Sequence, residues 1–260
     1  MTQDGEVRTI VHGRVLEIEF DRRAKRNAFT PELMTDLAKA LTRLEEDDEL
    51  WVGLVRFAGE HMTAGLDLPR FVGRFAGGER SIEDGLVDPF GLGRRSTKPV
   101  VMAVQGAAYT VGIEIMLAAD IVIAADSTRL CQLEPKRGLA VFGGGAHRYV
   151  ERAGWGNAMY HLLRADVFDA ETAHRLGFVQ EVVPHGTQGA RAMEIAQEIA
   201  LVAPKAVRWI KRNALAYLQE GEDAAIAMIP EMMRDTAGSQ DAAEGVRAFI
   251  ERRDPVFTGA

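Results

Sequence analysis

The sequence predicts an α/β fold with a helical C-terminal region, and three observations support this. Patterns in the first half alternate as strand, helix, strand with short links, the order that builds a parallel sheet. One of those strands, Lys98 to Val104, is an apolar, β-branched run of the kind found buried. After Val182-Val183-Pro184 the texture turns helical, from about Gly186 onward. The expected division is an α/β core over residues 1–195 and a helical region over residues 196–260.

The elements follow in order. Val7, Thr9 and Val11 alternate with polar residues up to a His12-Gly13 turn, and Val15, Leu16, Ile18 and Phe20 follow it, which predicts a β-hairpin. A basic loop, Arg22 to Ala28, comes next. Thr30 is a helix cap with Pro31 at the first helical position, and Leu33, Met34, Leu37, Leu41 and Leu44 keep helical spacing. The acidic run Glu45 to Glu49 reads as a solvated helix end. Trp51 to Phe57 is a strand and Ala58 to Leu68 a loop. Phe71 to Ser96 holds Gly73, Gly77, Gly78, Gly85, Gly91 and Gly93 with weak periodicity, which predicts a short helix and then a mobile loop. Beyond the Lys98 to Val104 strand, Gly106 leads into a helix through Ile113, Ile115, Met116 and Leu117, and Ile121 to Ala124 is another strand. Pro204 opens a helix carrying Trp209, Ile210 and Leu215, with later helices near Asp223 to Met233 and Ala242 to Arg252.

Composition narrows the function. The 260 residues are 47% hydrophobic and 27% charged, which excludes a disordered or collagen-like chain. A net charge of −7 disfavours nucleic acid and anionic membranes as partners. Cys131 is the single cysteine, so an intramolecular disulfide and a cysteine-based metal cluster are excluded. The polar start, Met1 to Arg8, and the lack of an apolar stretch of about 18 residues predict a soluble, cytoplasmic protein. Glycine contributes 26 residues, an excess that asks for a structural reason.

There is no phosphate-binding Gly-x-x-x-x-Gly-Lys loop, no Gly-x-Ser-x-Gly elbow and no His-Glu-x-x-His helix. Gly91-Leu92-Gly93 lacks the third glycine of a dinucleotide fingerprint, and His147, beside Arg148, reads as a surface or helix residue. No metal site is expected. Two carboxylates stand out instead. Glu114 lies in an apolar helix start, where a buried charge must be paired or shifted in pKa. Glu134 lies in a loop pinned by Pro135. For each alone, a salt bridge or a backbone cap is an equal explanation. Two turns of small residues, His61 to Leu68 and Gln105 to Gly112, could leave backbone N–H groups aimed into a cleft, where a pair of amides would hold a developing oxyanion.

These residues resemble the crotonase (enoyl-CoA hydratase/isomerase) superfamily over nearly the whole chain. The resemblance is carried by Arg26-Asn27-Ala28-Phe29, the Ala64-Gly65-Leu66-Asp67-Leu68 turn, Lys98-Pro99-Val100, Gly112-Ile113-Glu114 through Ala119-Asp120, Glu134 with Gly138, and the ending Glu244 to Arg253. It implies a crotonase-like spiral of ββα units with a C-terminal helical trimerisation region, hence a homotrimer or homohexamer. The implied substrate is an acyl-CoA thioester, with no cofactor beyond the coenzyme A of the substrate. By the family's motif, the backbone N–H groups of Leu66 and Val111 form the oxyanion hole, and Glu114 and Glu134 are the catalytic pair of a hydratase. Lys25, Arg26, Ala28, Ala64, Gly65, Asp67, Leu68 and Gly112 would line the CoA and substrate path, and Phe249 and Arg252 would reach the CoA of a neighbouring subunit. Retaining both glutamates favours hydration of a 2-enoyl-CoA over double-bond isomerisation or another enolate-forming reaction; a non-catalytic CoA-binding or RNA-binding role is the third reading. Two departures bear on the substrate: Thr110-Val111-Gly112 replaces the family's usual run of glycines, and Glu134 lacks a preceding proline. The Phe71 to Ser96 segment is expected to cap the acyl chain and set specificity.

Overall fold

The computed structural model describes residues 4–78 and 82–260. The chain runs β1 (Glu6–His12), β2 (Val15–Asp21), α1 (Pro31–Glu46), β3 (Val52–Phe57), α2 (Val72–Ala76), β4 (Val100–Val104), β5 (Ala107–Tyr109), α3 (Val111–Met116), β6 (Ile121–Ala125), β7 (Arg129–Cys131), α4 (Gly145–Arg164), β8 (Phe168–Asp169), α5 (Ala170–Arg175), β9 (Glu181–Val183), α6 (Gln188–Ile199), α7 (Pro204–Glu220), α8 (Glu222–Ala237) and α9 (Gln240–Glu251). A six-stranded sheet has the order β1-β2-β3-β4-β6-β9. Only its first pair, the hairpin, is antiparallel, and Val15 pairs with Val52 and Val101 with Ile121 in the parallel part. A second sheet, β5-β7-β8, stands beside it.

Alternation along the strands explains why the inner ones are apolar throughout. Met102 and Val104 of β4 join the core under α1, with Leu37, Leu41 and Leu44, while Val101 and Ala103 join a second core with Ala192, Ile195 and Ala196 of α6. Both faces of β4 are therefore dry. The Thr30 hydroxyl accepts the Leu33 N–H at 3.3 Å, which caps α1 as expected.

Two expectations need correction. Lys98 precedes β4 rather than opening it: its buried ammonium donates to the carbonyls of Leu44 and Asp47, each at 2.7 Å, and so closes the C-terminus of α1. Glu45 is not solvated, because its carboxylate accepts from the Thr97 and Ser96 hydroxyls and the Thr97 N–H at 2.7, 3.0 and 2.8 Å. These bonds hold its pKa below the ordinary value against the opposing pull of burial. Within the glycine-rich segment, α2 is the short helix foreseen. Residues 88–93 form a turn around Asp88, whose carboxylate accepts the N–H groups of Phe90, Leu92 and Gly93. Residues 79–81 of that segment, and residues 1–3 of the polar start, lie outside the described residues.

Helices α7, α8 and α9 form the C-terminal region, and among the described residues no helix is long and apolar enough to cross a membrane. The tail folds back on α9. Asp241, 2% exposed, accepts the N–H groups of Thr258 and Gly259 at 2.8 and 2.9 Å. Asp241→Ala should cost about 1–3 kcal/mol, since both amides lose their acceptor. A urea titration checks this through a lowered midpoint at unchanged slope.

Candidate active site

The site begins where two loops are tied together. Asn27, fully buried, donates to the carbonyls of Ala58 and His61 at 2.9 and 2.8 Å and accepts the Arg22 N–H at 2.7 Å. The buried Arg22 guanidinium grips Asp67 through two 3.0 Å bonds and the Ala28 carbonyl through a third at 2.9 Å. The Ala64 to Leu68 turn is thereby fixed against the basic loop. Phe29 N–H donates to the Gly65 carbonyl and Asp67 N–H to the Phe29 carbonyl, at 2.9 and 2.8 Å, bracketing Leu66. In this pattern the Leu66 N–H faces away from Phe29. Gly65 has φ +110°, and a Cβ there would lie 2.6 Å from the Thr110 hydroxyl, so only glycine serves.

Val111 is the first residue of α3, so its N–H is one of the helix's unpaired donors. Among the described residues neither it nor the Leu66 N–H donates to another protein group. Both residues line a cavity of about 450 Å³. Glu114 and Glu134 line it too, as do Thr110, Ala64, Gly65 and Leu68. The rest of its wall is mostly apolar, with Phe71, Phe75, Phe90, Leu92, Leu139 and Phe142, and it also carries Asp88 and Arg137. Phe75 bridges that wall, with ring centroids 5.8 Å from Phe71 and 5.5 Å from Phe142.

The two glutamates differ in their surroundings. Glu114, 5% exposed, accepts the N–H groups of Gly143 at 2.5 Å and Gly145 at 3.3 Å. Burial raises its pKa, while those amides and the nearby Arg148 pull the other way. Arg148 is itself 4% exposed and donates to the carbonyls of Phe90, Gly143 and Glu114 at 2.5, 3.4 and 3.4 Å. It ties the Asp88 turn to the helix that bears Glu114. Glu134 opens a single 3-10 turn, Glu134–Arg137. Burial pushes its pKa up to about 7, its own backbone N–H opposes this, and the charge of Glu114 adds to the rise. The Gln132 side-chain amide, oriented to satisfy both its ends, donates to the Glu134 carboxylate and to the Thr110 carbonyl, each at 3.2 Å.

Leu66, Val111, Glu114 and Glu134 are thus brought to one cavity, with Ala64, Gly65 and Leu68 beside them. Gly112 lies under the turn against Thr63 and Met62. Lys25 and Arg26 are exposed on the basic loop, with Ala28 half-buried between that loop and the turn. Asp67 is held by Arg22 and is outside the cavity wall. Phe249, 84% exposed, and Arg252 end α9, outside the cavity wall formed by this chain. Within Gly143-Gly144-Gly145, a run without an assigned role in the sequence, the amides of Gly143 and Gly145 are the donors that hold Glu114. Arg148, Gln132 and the Leu139 and Phe142 part of the wall were likewise missed, although the triple glycine was a visible signal; Phe71, Phe75, Phe90 and Leu92 come from the Phe71 to Ser96 segment expected beside the acyl chain.

The family model for enoyl-CoA hydratase/isomerase matches residues 11–260. An enoyl-CoA hydratase of Mycobacterium tuberculosis is 32% identical over 250 residues, covering 94% of this chain and 93% of that protein. A carnitinyl-CoA dehydratase of Citrobacter koseri is 32% identical over 264 residues, covering 95% and 96%. The crystal structure of a probable enoyl-CoA hydratase/isomerase from Mycobacterium abscessus is 42% identical and has a TM-score of 0.95, covering 98% of each chain. With the family model spanning the fold and the cavity just described, the chain belongs to the enoyl-CoA hydratase/isomerase family, within the crotonase superfamily.

Proposed function

We propose that the protein hydrates a 2-enoyl-CoA thioester to the 3-hydroxyacyl-CoA. The observation that carries the reading is the convergence of two carboxylates and two unengaged backbone amides on one largely apolar cavity. Water adds to C3 as Glu114 takes its proton, and the displaced electron pair moves onto the thioester oxygen as an enolate. The Leu66 and Val111 amides hold that charge. The enolate then collapses as Glu134 gives a proton to C2, and transfer of the proton from Glu114 back to Glu134 resets the pair. The environments support this split. At Glu114 two backbone N–H bonds and Arg148 favour the anion against the upward pull of burial, whereas Glu134, near 7, is about half protonated at neutral pH.

Exposed Lys25 and Arg26 supply local positive charge for the CoA phosphates on an otherwise acidic chain. Exposed Ile210, Leu218, Met233 and Ile250 on the C-terminal helices support assembly into a trimer or hexamer through that region.

The test is loss of the conjugated-thioester absorbance with crotonyl-CoA and longer 2-enoyl-CoAs. Its pH dependence is a sharper check. Hydration starts with the proton on Glu134 and ends with it on Glu114; elimination of water starts from that end state. Both directions require the pair to hold one proton in total, so kcat/KM should follow one bell in both. The alkaline limb should fall near pH 7, as Glu134 loses its proton, and should vanish in Glu134→Gln. A flat profile from pH 6 to 9 in the wild type would count against the assignment.

A further inference from the structure

We propose that the Thr110 hydroxyl is a third donor to the thioester oxygen, placed between the Leu66 and Val111 amides; this rests on the enolate chemistry proposed above. The first observation is the backbone of Thr110, at φ 50° and ψ −115°. That conformation is costly for a β-branched residue and is one glycine adopts freely. The backbone there is well tied: the Thr110 N–H donates to the Cys131 carbonyl at 3.0 Å, and its carbonyl accepts from the Ile113 and Glu114 N–H groups at 2.9 and 3.3 Å. Glycine would make those same bonds without strain. What threonine adds is its side chain.

That side chain lines the cavity, with Oγ1 2.6 Å from the point where a Gly65 Cβ would stand. Gly65 immediately precedes the Leu66 donor, and Thr110 immediately precedes the Val111 donor. The hydroxyl therefore occupies the seam where the two donor turns meet. Among the described residues Oγ1 makes no hydrogen bond, whereas the buried hydroxyls of Thr63 and Thr128 donate to the carbonyls of Asn27 and Val104. A hydroxyl rotates to suit its acceptor. Its bond strengthens as charge grows on the thioester oxygen, so it stabilises the enolate more than the bound substrate. No proton is transferred; the hydroxyl donates a hydrogen bond only.

The test compares Thr110→Val, Thr110→Ser and Thr110→Gly. Thr110→Val keeps the branched shape and loses the hydroxyl; kcat on a 2-enoyl-CoA should fall about 10- to 100-fold with KM changed little. Thr110→Ser should recover most of it. Thr110→Gly should lose kcat as the valine variant does while melting no lower than the wild type, because the strain is relieved. A readout free of turnover is the absorbance band of bound 4-(dimethylamino)cinnamoyl-CoA, which moves to the red as its thioester carbonyl is polarised. The shift should be smaller in Thr110→Val than in wild type and be restored in Thr110→Ser. A wild-type enzyme that hydrates enoyl-CoAs, with kcat and band shift unchanged in Thr110→Val, overturns the third donor and leaves the hydration reading standing. A Thr110-dependent band shift without hydration of any enoyl-CoA does the reverse.

Discussion

Glu134→Gln should lower kcat for enoyl-CoA hydration by about 10²- to 10⁴-fold while leaving KM close to its wild-type value. Glutamine keeps the size of the side chain but has no acidic proton to deliver to C2. Glu114→Gln should cost a similar factor for the opposite reason. Its amide oxygen can still accept from Gly143 and Gly145, so the local structure survives, but it cannot take a proton from water. The double variant should be little slower than either single one, since the two groups act as a unit through one shared proton. Steady-state absorbance assays measure the rates, and melting curves establish that each variant is folded. Activity that persists in Glu114→Gln and disappears in Glu134→Gln would point to a one-carboxylate isomerisation. Full activity in both would remove the pair from the chemistry.

How far this site could be read beforehand depended on the range of the interactions that build it. Glu114 was legible because a charge inside Val111 to Leu117 conflicts with its apolar neighbours, and such a conflict is local. Leu66 and Val111 were located through the resemblance, since their small-residue turns are by themselves ordinary. The donors that hold Glu114 were not legible, because Gly143 and Gly145 follow it by 29 and 31 positions and nothing nearby says what they face. The same distinction applies to the fold. The hairpin, α1, β3 and β4 each carry several repeats of a period of 2 or 3.6. Strands β5 and β7 have three residues and β8 has two, too few to show any period. Helix α4 was hidden because Gly154, at φ +74°, breaks it and throws its apolar positions out of phase.

Gly143→Ala should be the most damaging change that touches neither glutamate. A Cβ at this position would land on the Glu114 carboxylate and 2.6 Å from Cδ1 of Phe90. Their backbones are held, Glu114 on a buried helix and Phe90 by the Arg148 bond to its carbonyl at 2.5 Å, so the side chains can yield only into the cavity they both line. Forcing a methyl group into such packing costs about 1–3 kcal/mol. The larger consequence is chemical, because the carboxylate must swing away from its two amide donors and leave its aim at the substrate. Misplacement by about 1 Å can cost on the order of 10²-fold in rate, so kcat should fall by about that factor even where the protein remains folded. Gly156→Ala provides the contrast. That glycine is within α4 with nothing inside 4 Å of its would-be Cβ, and alanine there should add about 0.5–1 kcal/mol of stability without changing kcat. If Gly143→Ala keeps wild-type kcat, the Gly143 amide does not hold Glu114 in its working position. If it loses stability and kcat together while Gly156→Ala gains the first and keeps the second, the glycine excess at this turn serves the carboxylate rather than the helix it precedes.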